Sequence, residues 1–199
     1  MQRESIIASY VRGKEVLDIG SVGQDMAFMS GALAHKSGHQ SQKYSLWNLI
    51  NDEAKSVVGI DPEAPLAAAG TDNHAIVRGN MEEYQFGHTF EIVVAGDVLE
   101  HVSNQGRFLE NIHNHLASEG RLVLTTPNAK WLTVLFRPNE THTLWHDRFT
   151  LTHALERAGL EVEHLQYYFG NKPSYAWWIR PLVLRQGLLV VAKKKALQK

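Results

Sequence analysis

Short apolar segments rich in β-branched residues recur along the chain, separated by polar and glycine-containing segments. Each is too short for a typical helix, so the pattern predicts buried strands. The segments are EVLDI at 15–19, SVVGI at 56–60, AIVR at 75–78, FEIVVA at 90–95 and RLVLTT at 121–126. Two later candidates, 161–168 and 187–193, have no clear helix between them, which is compatible with an antiparallel pair that closes the sheet.

Helical periodicity separates several of these strands. It predicts one helix over 103–118 with Ser103 as its N-cap, and another over 150–159 that ends at Gly159. One face of the first helix is apolar: Phe108, Leu109, Ile112 and Leu116. Strands that alternate with helices predict an α/β fold. We expect a doubly wound, mostly parallel, seven-stranded sheet with helices on both faces and an antiparallel final strand.

The composition limits the possible classes of function. The length of 199 residues suits one domain, 1–199, and 20 Lys and Arg against 21 Asp and Glu argue against a broad basic surface for nucleic acid. The absence of cysteine excludes disulfides and thiolate metal sites. The start of the chain lacks the apolar core of a signal peptide, and Arg180 and Arg185 interrupt the most apolar late segment. We therefore expect no membrane span and a cytoplasmic protein.

Candidate ligand-binding residues follow the predicted strands, because in open α/β sheets the ligand lies beyond the carboxyl ends of the strands. In chain order they are Asp18, Gly20, Ser21 and Gly23, then Asp61, then Asn80 and Met81, and finally Asp97, Glu100 and His101. Glycine lets the backbone approach a ligand closely. A carboxylate after the second strand can accept hydrogen bonds from both hydroxyls of a ribose.

Three of these residues have simpler alternatives. Asp61 can cap a helix that begins at Pro62, although its pairing with the Asp18 turn favours the ribose role. Asn80 can hydrogen-bond an adenine edge with Met81 against the adenine face, or the two can belong to a plain loop and to the core.

Five motifs in this order resemble those of the class I S-adenosylmethionine-dependent methyltransferases. They are VLDIGSVGQ, VVGIDP, RGNMEEY, FEIVVAGDVLEHV and GRLVLTTPN, and the resemblance covers nearly the whole chain. It implies a Rossmann-like fold and S-adenosylmethionine as cofactor. The cofactor-binding residues that it implies are Asp18, Gly20, Ser21, Gly23, Asp61, Asn80, Met81 and Asp97. Among them Asp18 and Gly20 are expected near the methionine part, Asp61 at the ribose, and Asp97 near the amino-acid end.

The chain departs from this family in two places. Val22 and Gln24 stand where the first motif usually has glycine, and valine resists a positive φ, so Gly23 is expected to absorb the sharp turn. An insert at about 29–49 also lengthens the first crossover. That insert is either a lid over the active site or a surface excursion.

His101 is the first candidate for a catalytic base, because imidazole ordinarily titrates near neutral pH. The simpler alternative is that it caps the next helix or hydrogen-bonds a neighbour. The loop also resembles the metal-binding loop of ubiquinone-pathway O-methyltransferases and of small-RNA 3′-terminal methyltransferases. A divalent ion on Asp97, Glu100 and His101 is therefore a hypothesis, although the favoured interpretation assigns no metal.

The segment at about 129–149 resembles a substrate-side element of bacterial small-molecule methyltransferases. His142 and Trp145 match its histidine and aromatic positions, so His142 is the second catalytic candidate; it either faces the substrate or only fixes the loop. Trp177 and Trp178 lie between the last two strands, where they either cover a substrate or form a homodimer contact.

The resemblance implies methyl transfer to a small-molecule acceptor, with O-methylation slightly favoured over N- or C-methylation. Little of the chain lies beyond the core domain, which leaves no separate module for nucleic acid or protein substrates. A nicotinamide-dependent oxidoreductase is disfavoured, because its fingerprint needs glycine where Val22 and Asp25 stand. The other alternative is a catalytically silent methyltransferase fold that binds or regulates a partner.

Overall fold

The computed structural model describes residues 3–22, 46–64, 74–130, 139–168 and 186–195. Seven strands form one sheet. They are β1 (Glu15–Ile19), β2 (Ser56–Asp61), β3 (His74–Arg78), β4 (Phe90–Gly96), β5 (Leu116–Pro127), β6 (Leu160–Tyr168) and β7 (Gly187–Lys194). All five apolar segments predicted as strands lie in β1 to β5.

The strand order is β3-β2-β1-β4-β5-β7-β6. Strands β1 to β5 pair parallel, whereas β7 runs antiparallel to both of its neighbours, β5 and β6. This confirms the predicted α/β class, the seven strands and the antiparallel final strand. The chain leaves β1 towards one edge of the sheet and enters β4 towards the other, so a crevice opens between the carboxyl ends of these two strands.

Among the described residues, four α-helices cover the two faces of the sheet. They are α1 (Arg3–Val11), α2 (Leu46–Glu53), α3 (Gln105–His115) and α4 (Arg148–Arg157). Successive residues of the inner strands point to opposite faces, and each face has its own core. Leu17 and Val93 pack in the core that contains the apolar residues of α3 and α4. Val16 and Val94 pack in the core that contains those of α1 and α2.

The bounds of α3 differ from the prediction. The N-cap is Asn104, whose side chain accepts a hydrogen bond from the Arg107 backbone N–H at 3.0 Å, so Ser103 lies outside the helix. The helix ends at His115 because Leu116 already pairs with Phe90 as the first residue of β5. The predicted end at 118 is therefore wrong, because apolar periodicity does not distinguish the last turn of a helix from the start of a buried strand.

The second predicted helix begins two residues earlier than expected, at Arg148. Asp147 is its N-cap and accepts hydrogen bonds from the backbone N–H groups of Phe149 and Thr150. The predicted stop is confirmed, because Gly159 follows the helix with a φ of 78°. Of the insert at 29–49, the structure describes only 46–49, within α2. No helix in the described ranges is long and apolar enough to cross a membrane.

Candidate active site

A cleft of about 830 Å³ opens at the carboxyl ends of β1, β2, β4 and β5. It lies at the point where the strand order reverses, which is where open α/β sheets bind ligands. Its described lining residues come from both sides of that point: Arg3, Gly20, Asp61, Pro62, Glu63, Gly96, Asp97, Val98, Glu100, His101, Pro127, Asn139, Thr141, His142, Tyr168 and Gln186. The predicted residues Gly20, Asp61, Asp97, His101 and His142 therefore share one cleft.

Gly20 makes the sharp turn after β1. Its φ is +79°, and a Cβ atom there would lie 2.5 Å from Cγ2 of Val98. Val22 has a negative φ. Among the described residues other than glycine, only Asp97 has a positive φ. The Val22 backbone N–H donates to Asp61 Oδ2 at 3.1 Å. The unusual valine is thus accommodated without strain, and Gly23 lies outside the described residues.

Two carboxylates lie behind and beside this turn. Asp61 is buried, and its Oδ1 accepts the Glu63 backbone N–H at 2.8 Å, a cap-like contact that leaves the side chain at the cleft wall. Asp18 is only 2% exposed and does not line the cleft. Burial, followed by the charge of Asp61, raises the pKa of Asp18 to about 8. Asp18 is therefore mostly protonated at neutral pH.

Besides Asp18, three predicted cofactor residues do not line the described cleft. Met81 is buried in the core, which was its simpler alternative. Asn80 is exposed, and its Oδ1 accepts the Glu82 backbone N–H at 2.9 Å. The Ser21 hydroxyl is buried without a hydrogen-bond partner among the described residues. The contacts of these residues with a cofactor stay predictions.

Asp97 is the centre of a polar cluster that local sequence motifs did not indicate. Its carboxylate forms an ion pair with Arg3, 94 residues away in the sequence, and accepts a hydrogen bond from the Tyr168 hydroxyl at 2.9 Å. The Thr125 hydroxyl donates to the same carboxylate at 3.2 Å. Burial raises the pKa of Tyr168, and the charge of Asp97 raises it further, so this hydroxyl stays a donor. The partners come from α1, β5 and β6, which only the folded chain brings together.

Glu100 lies in a short 3₁₀ helix, Leu99–His101, and is 1% exposed. The Thr126 hydroxyl donates to its Oε2 at 3.0 Å. Burial raises the pKa of Glu100 to about 8, and the charge of Asp97 contributes in the same direction. Glu100 is therefore largely uncharged at neutral pH. The Thr126 hydroxyl can donate a hydrogen bond to either the protonated or the ionised carboxyl group.

The rings of His101 and His142 lie edge to face, with centroids 4.7 Å apart. His101 Nδ1 lies 3.2 Å from the Thr141 carbonyl oxygen, which can only accept, so Nδ1 carries the proton and Nε2 the lone pair. Burial, followed by the charge of His101, lowers the pKa of His142. His142 is therefore neutral at pH 7, and the neutral form of His101 presents a basic nitrogen at Nε2.

The tautomer of His142 follows from Asn139. The Asn139 Oδ1 accepts from the Thr141 backbone N–H at 3.1 Å, which directs the amide nitrogen of Asn139 to Nε2 of His142, also at 3.1 Å. The ring proton of neutral His142 is then on Nδ1. This Nδ1 and the indole nitrogen of Trp145 are buried without hydrogen-bond partners among the described residues.

The residues of the hypothetical metal loop, Asp97, Glu100 and His101, do not gather around one point. Asp97 is held by Arg3, Tyr168 and Thr125, and the described residues that gather instead are Glu100, His101 and His142. Each offers one possible ligand atom, and these atoms lie within 4.8 Å of one another. The spacing can hold a divalent ion, and it equally suits a hydrogen-bonded acid–base cluster.

A family comparison matches this architecture. The model of the methyltransferase domain family aligns with residues 6–165. This range includes β1 to β5 and the cleft residues His101 and His142. The chain belongs to the S-adenosylmethionine-dependent methyltransferases. The family and the cofactor predicted from the sequence motifs are thereby confirmed.

Relatives in other organisms agree with this family. The methyltransferase is 31% identical over 126 residues to a Mycolicibacterium smegmatis protein named "probable S-adenosylmethionine-dependent methyltransferase", covering 58% of this chain and 48% of that one. It is 33% identical over 92 residues to the tRNA U34 carboxymethyltransferase of Aeromonas hydrophila, covering 42% and 28% of the two chains. The matched region thus spans about half of one relative and about a quarter of the other.

Solved structures share the fold of this methyltransferase. The S-adenosylmethionine-dependent methyltransferase of Mesorhizobium loti superposes with a TM-score of 0.62 at 19% identity, over 96% of this chain and 98% of the other. The 1,6-didemethyltoxoflavin N1-methyltransferase of Burkholderia thailandensis gives 0.64 at 18% identity, over 97% and 76%. That protein was solved with 1,6-didemethyltoxoflavin and S-adenosylhomocysteine bound.

The described residues of the methyltransferase fit its cofactor. The turn at Gly20 has no room for a side chain, so the backbone itself forms the cleft floor. Asp61, Glu63 and Asp97 give the cleft an acidic wall, which suits a ligand with a sulfonium and an ammonium group. Asp61 is the last residue of β2, a position from which a carboxylate reaches a ribose.

Proposed function

We propose that this chain transfers the methyl group of S-adenosylmethionine to an oxygen atom of a small-molecule acceptor, with His101 as the general base. One observation carries the proposal: the basic nitrogen of His101 and the strand-end residues Gly20 and Asp61 line the same cleft. Of the predicted cofactor residues, Gly20, Asp61 and Asp97 line this cleft, and the cofactor would bind beside them.

When bound, S-adenosylmethionine supplies an electrophilic methyl group on a positively charged sulfur. His101 accepts the proton of the acceptor hydroxyl at Nε2 as the oxygen attacks, and the Thr141 carbonyl stabilises the resulting imidazolium through Nδ1–H. Loss of the methyl group would leave the sulfur neutral, and the proton taken from the hydroxyl would give His101 the positive charge. Glu100, when ionised, lies close enough to stabilise that imidazolium further.

His142 and Trp145 are proposed to orient the acceptor. Both carry buried N–H groups without partners among the described residues, and their rings are 5.9 Å apart. An unpaired buried donor costs about 1–3 kcal/mol. A substrate with an oxygen atom placed to accept these hydrogen bonds would therefore bind more tightly than one without it. The small-molecule class is also supported by the neighbour solved with 1,6-didemethyltoxoflavin.

The proposal is tested in two stages. Calorimetric titration of the purified protein with S-adenosylmethionine and S-adenosylhomocysteine, with NAD as control, first establishes the cofactor. A panel of phenols and aliphatic alcohols is then screened for formation of S-adenosylhomocysteine. We expect His101→Gln to keep cofactor affinity and lose at least about a hundredfold in rate.

The matched control is His153→Gln, because His153 is an exposed histidine on α4, outside the cleft. This variant should retain the full rate. Absence of S-adenosylmethionine binding in the folded protein would refute the proposed function. It would favour the silent binding or regulatory alternative.

A further inference from the structure

The charges around the cleft are unequal. Arg3 is the only lysine or arginine among the described residues that line it, whereas Asp61, Glu63 and Asp97 contribute carboxylates. The amino-acid end of S-adenosylmethionine carries an ammonium group and a carboxylate. An acidic wall attracts the ammonium but repels the carboxylate, so the carboxylate needs a cation.

Arg3 has the position and the free donors for that purpose. Its side chain is only 22% exposed, and its guanidinium carbon lies 5.6 Å from the ring centroid of Tyr168. Its Nε is buried and donates no hydrogen bond to any described residue, although Glu4 Oε1 lies 3.5 Å away. A guanidinium has five N–H donors in a planar fork that matches a carboxylate. The ion pair with Asp97 therefore leaves donors for a second anion.

We propose that Arg3 binds the α-carboxylate of S-adenosylmethionine, while Asp97 receives its α-ammonium group. Arg3 and Asp97 place a positive and a negative charge next to each other. This arrangement is complementary to the neighbouring carboxylate and ammonium groups of an amino acid. The inference rests on the proposed function, since it requires S-adenosylmethionine to be the ligand of this cleft.

The surroundings of Asp97 hold it in place for this exchange. The hydroxyls of Tyr168 and Thr125 both donate to Oδ1, whereas Arg3 contacts Oδ2. The carboxylate consequently stays fixed when Arg3 turns part of its fork towards a ligand. The Tyr168 ring also limits the positions that the guanidinium can take.

The experiment compares two ligands that differ in one group. Calorimetry on the full chain measures the affinities of S-adenosylmethionine and of its decarboxylated analogue, which lacks only the α-carboxylate. We expect the wild type to bind S-adenosylmethionine about tenfold to a hundredfold more tightly, as is typical of a hydrogen-bonded charge pair. Arg3→Ala should weaken S-adenosylmethionine by a similar factor and leave the analogue unchanged, and Arg3→Lys should lie between.

Arg12→Ala is the matched control, because Arg12 follows α1 and forms an exposed ion pair with Glu53. It should change neither affinity. Equal binding of the two ligands by the wild type would overturn the inference while leaving the proposed function intact, and this comparison does not depend on the folding of any variant. An Arg3→Ala variant that lost both ligands equally would also overturn it. Binding of neither ligand by the wild type would refute the proposed function itself.

Discussion

One methyl group of Val98 decides which residue the first turn accepts at position 20. Gly20→Ala would meet Val98 Cγ2 at 2.5 Å in addition to its positive φ. We expect cofactor affinity to fall by at least about tenfold, or roughly 1.4 kcal/mol, because the loop that forms the cleft floor must move. Calorimetry with S-adenosylhomocysteine measures the loss.

Gly13 provides the control for that substitution. Its φ is +68°, but a Cβ atom there would meet nothing within 4 Å. Gly13→Ala should therefore cost about 1–2 kcal/mol of unfolding free energy through backbone strain alone, and leave affinity unchanged. Equal effects of the two variants on affinity would contradict the role given to Val98.

Asp18 should make the stability of the protein depend on pH. Its pKa is raised in the folded state to about 8, from an ordinary value of 3.8. Between these values the folded state binds more protons at Asp18 than the unfolded state. The contribution of Asp18 to stability is therefore greatest below about pH 4 and falls as the pH rises towards 8. Urea unfolding at pH 5, 6.5 and 8 should show a steeper decline in the wild type than in Asp18→Asn. Asp52→Asn, at an exposed position of α2, should follow the wild type.

At the scale of the element, the first turn of α4 depends on one side chain. Asp147 accepts two backbone hydrogen bonds and also pairs with Lys130 at 2.8 Å. Asp147→Ala should lower the free energy of unfolding by about 1–2 kcal/mol, the usual effect of losing an N-cap. Lys130→Ala removes the ion pair and the exposed contact of its ammonium with the Phe149 ring, 5.2 Å away, but keeps the cap. It should cost less than about 1 kcal/mol, as thermal unfolding can verify. Equal losses would show that the cap is not the main contribution.

The helix α1 joins stability to cofactor binding, because it carries Arg3 at one end and the fully buried Ile7 in its middle. Ile7→Ala should cost about 2–5 kcal/mol of unfolding free energy. Below the unfolding temperature, we expect it also to weaken S-adenosylmethionine more than the decarboxylated analogue, since Arg3 would be held less firmly. If Ile7→Ala lowered stability but weakened both ligands equally, α1 would not position Arg3 for the cofactor.

The elements show what the sequence could and could not predict. The strands were predictable because buried β-branched segments such as 90–95 have few other structures open to them. Helix starts were not, because Asn104 and Asp147 act as N-caps through side-chain hydrogen bonds that the apolar pattern does not indicate. The cluster of Arg3, Asp97 and Tyr168 joins residues 94 and 71 positions apart, so no local spacing could predict it.

At the scale of the whole molecule, the proposed mechanism makes a prediction about metal removal. A mechanism with an imidazole base needs no ion, so protein dialysed against EDTA should keep its methyl-transfer rate. A loss of more than about tenfold, restored by added divalent ion, would instead favour an ion at Glu100, His101 and His142. Elemental analysis of protein purified without chelator gives an independent measurement.

The strand order also constrains when the sheet can be completed during synthesis. Strand β6 pairs with β7 alone among the described strands, and β7 follows it in the sequence while lying between β5 and β6. As the chain emerges from the ribosome, β1 to β5 can associate first, whereas β6 has no neighbour to join. Strand β7 must therefore add to the edge of β5, alone or already paired with β6, and until it does, that edge is open to pairing with other chains.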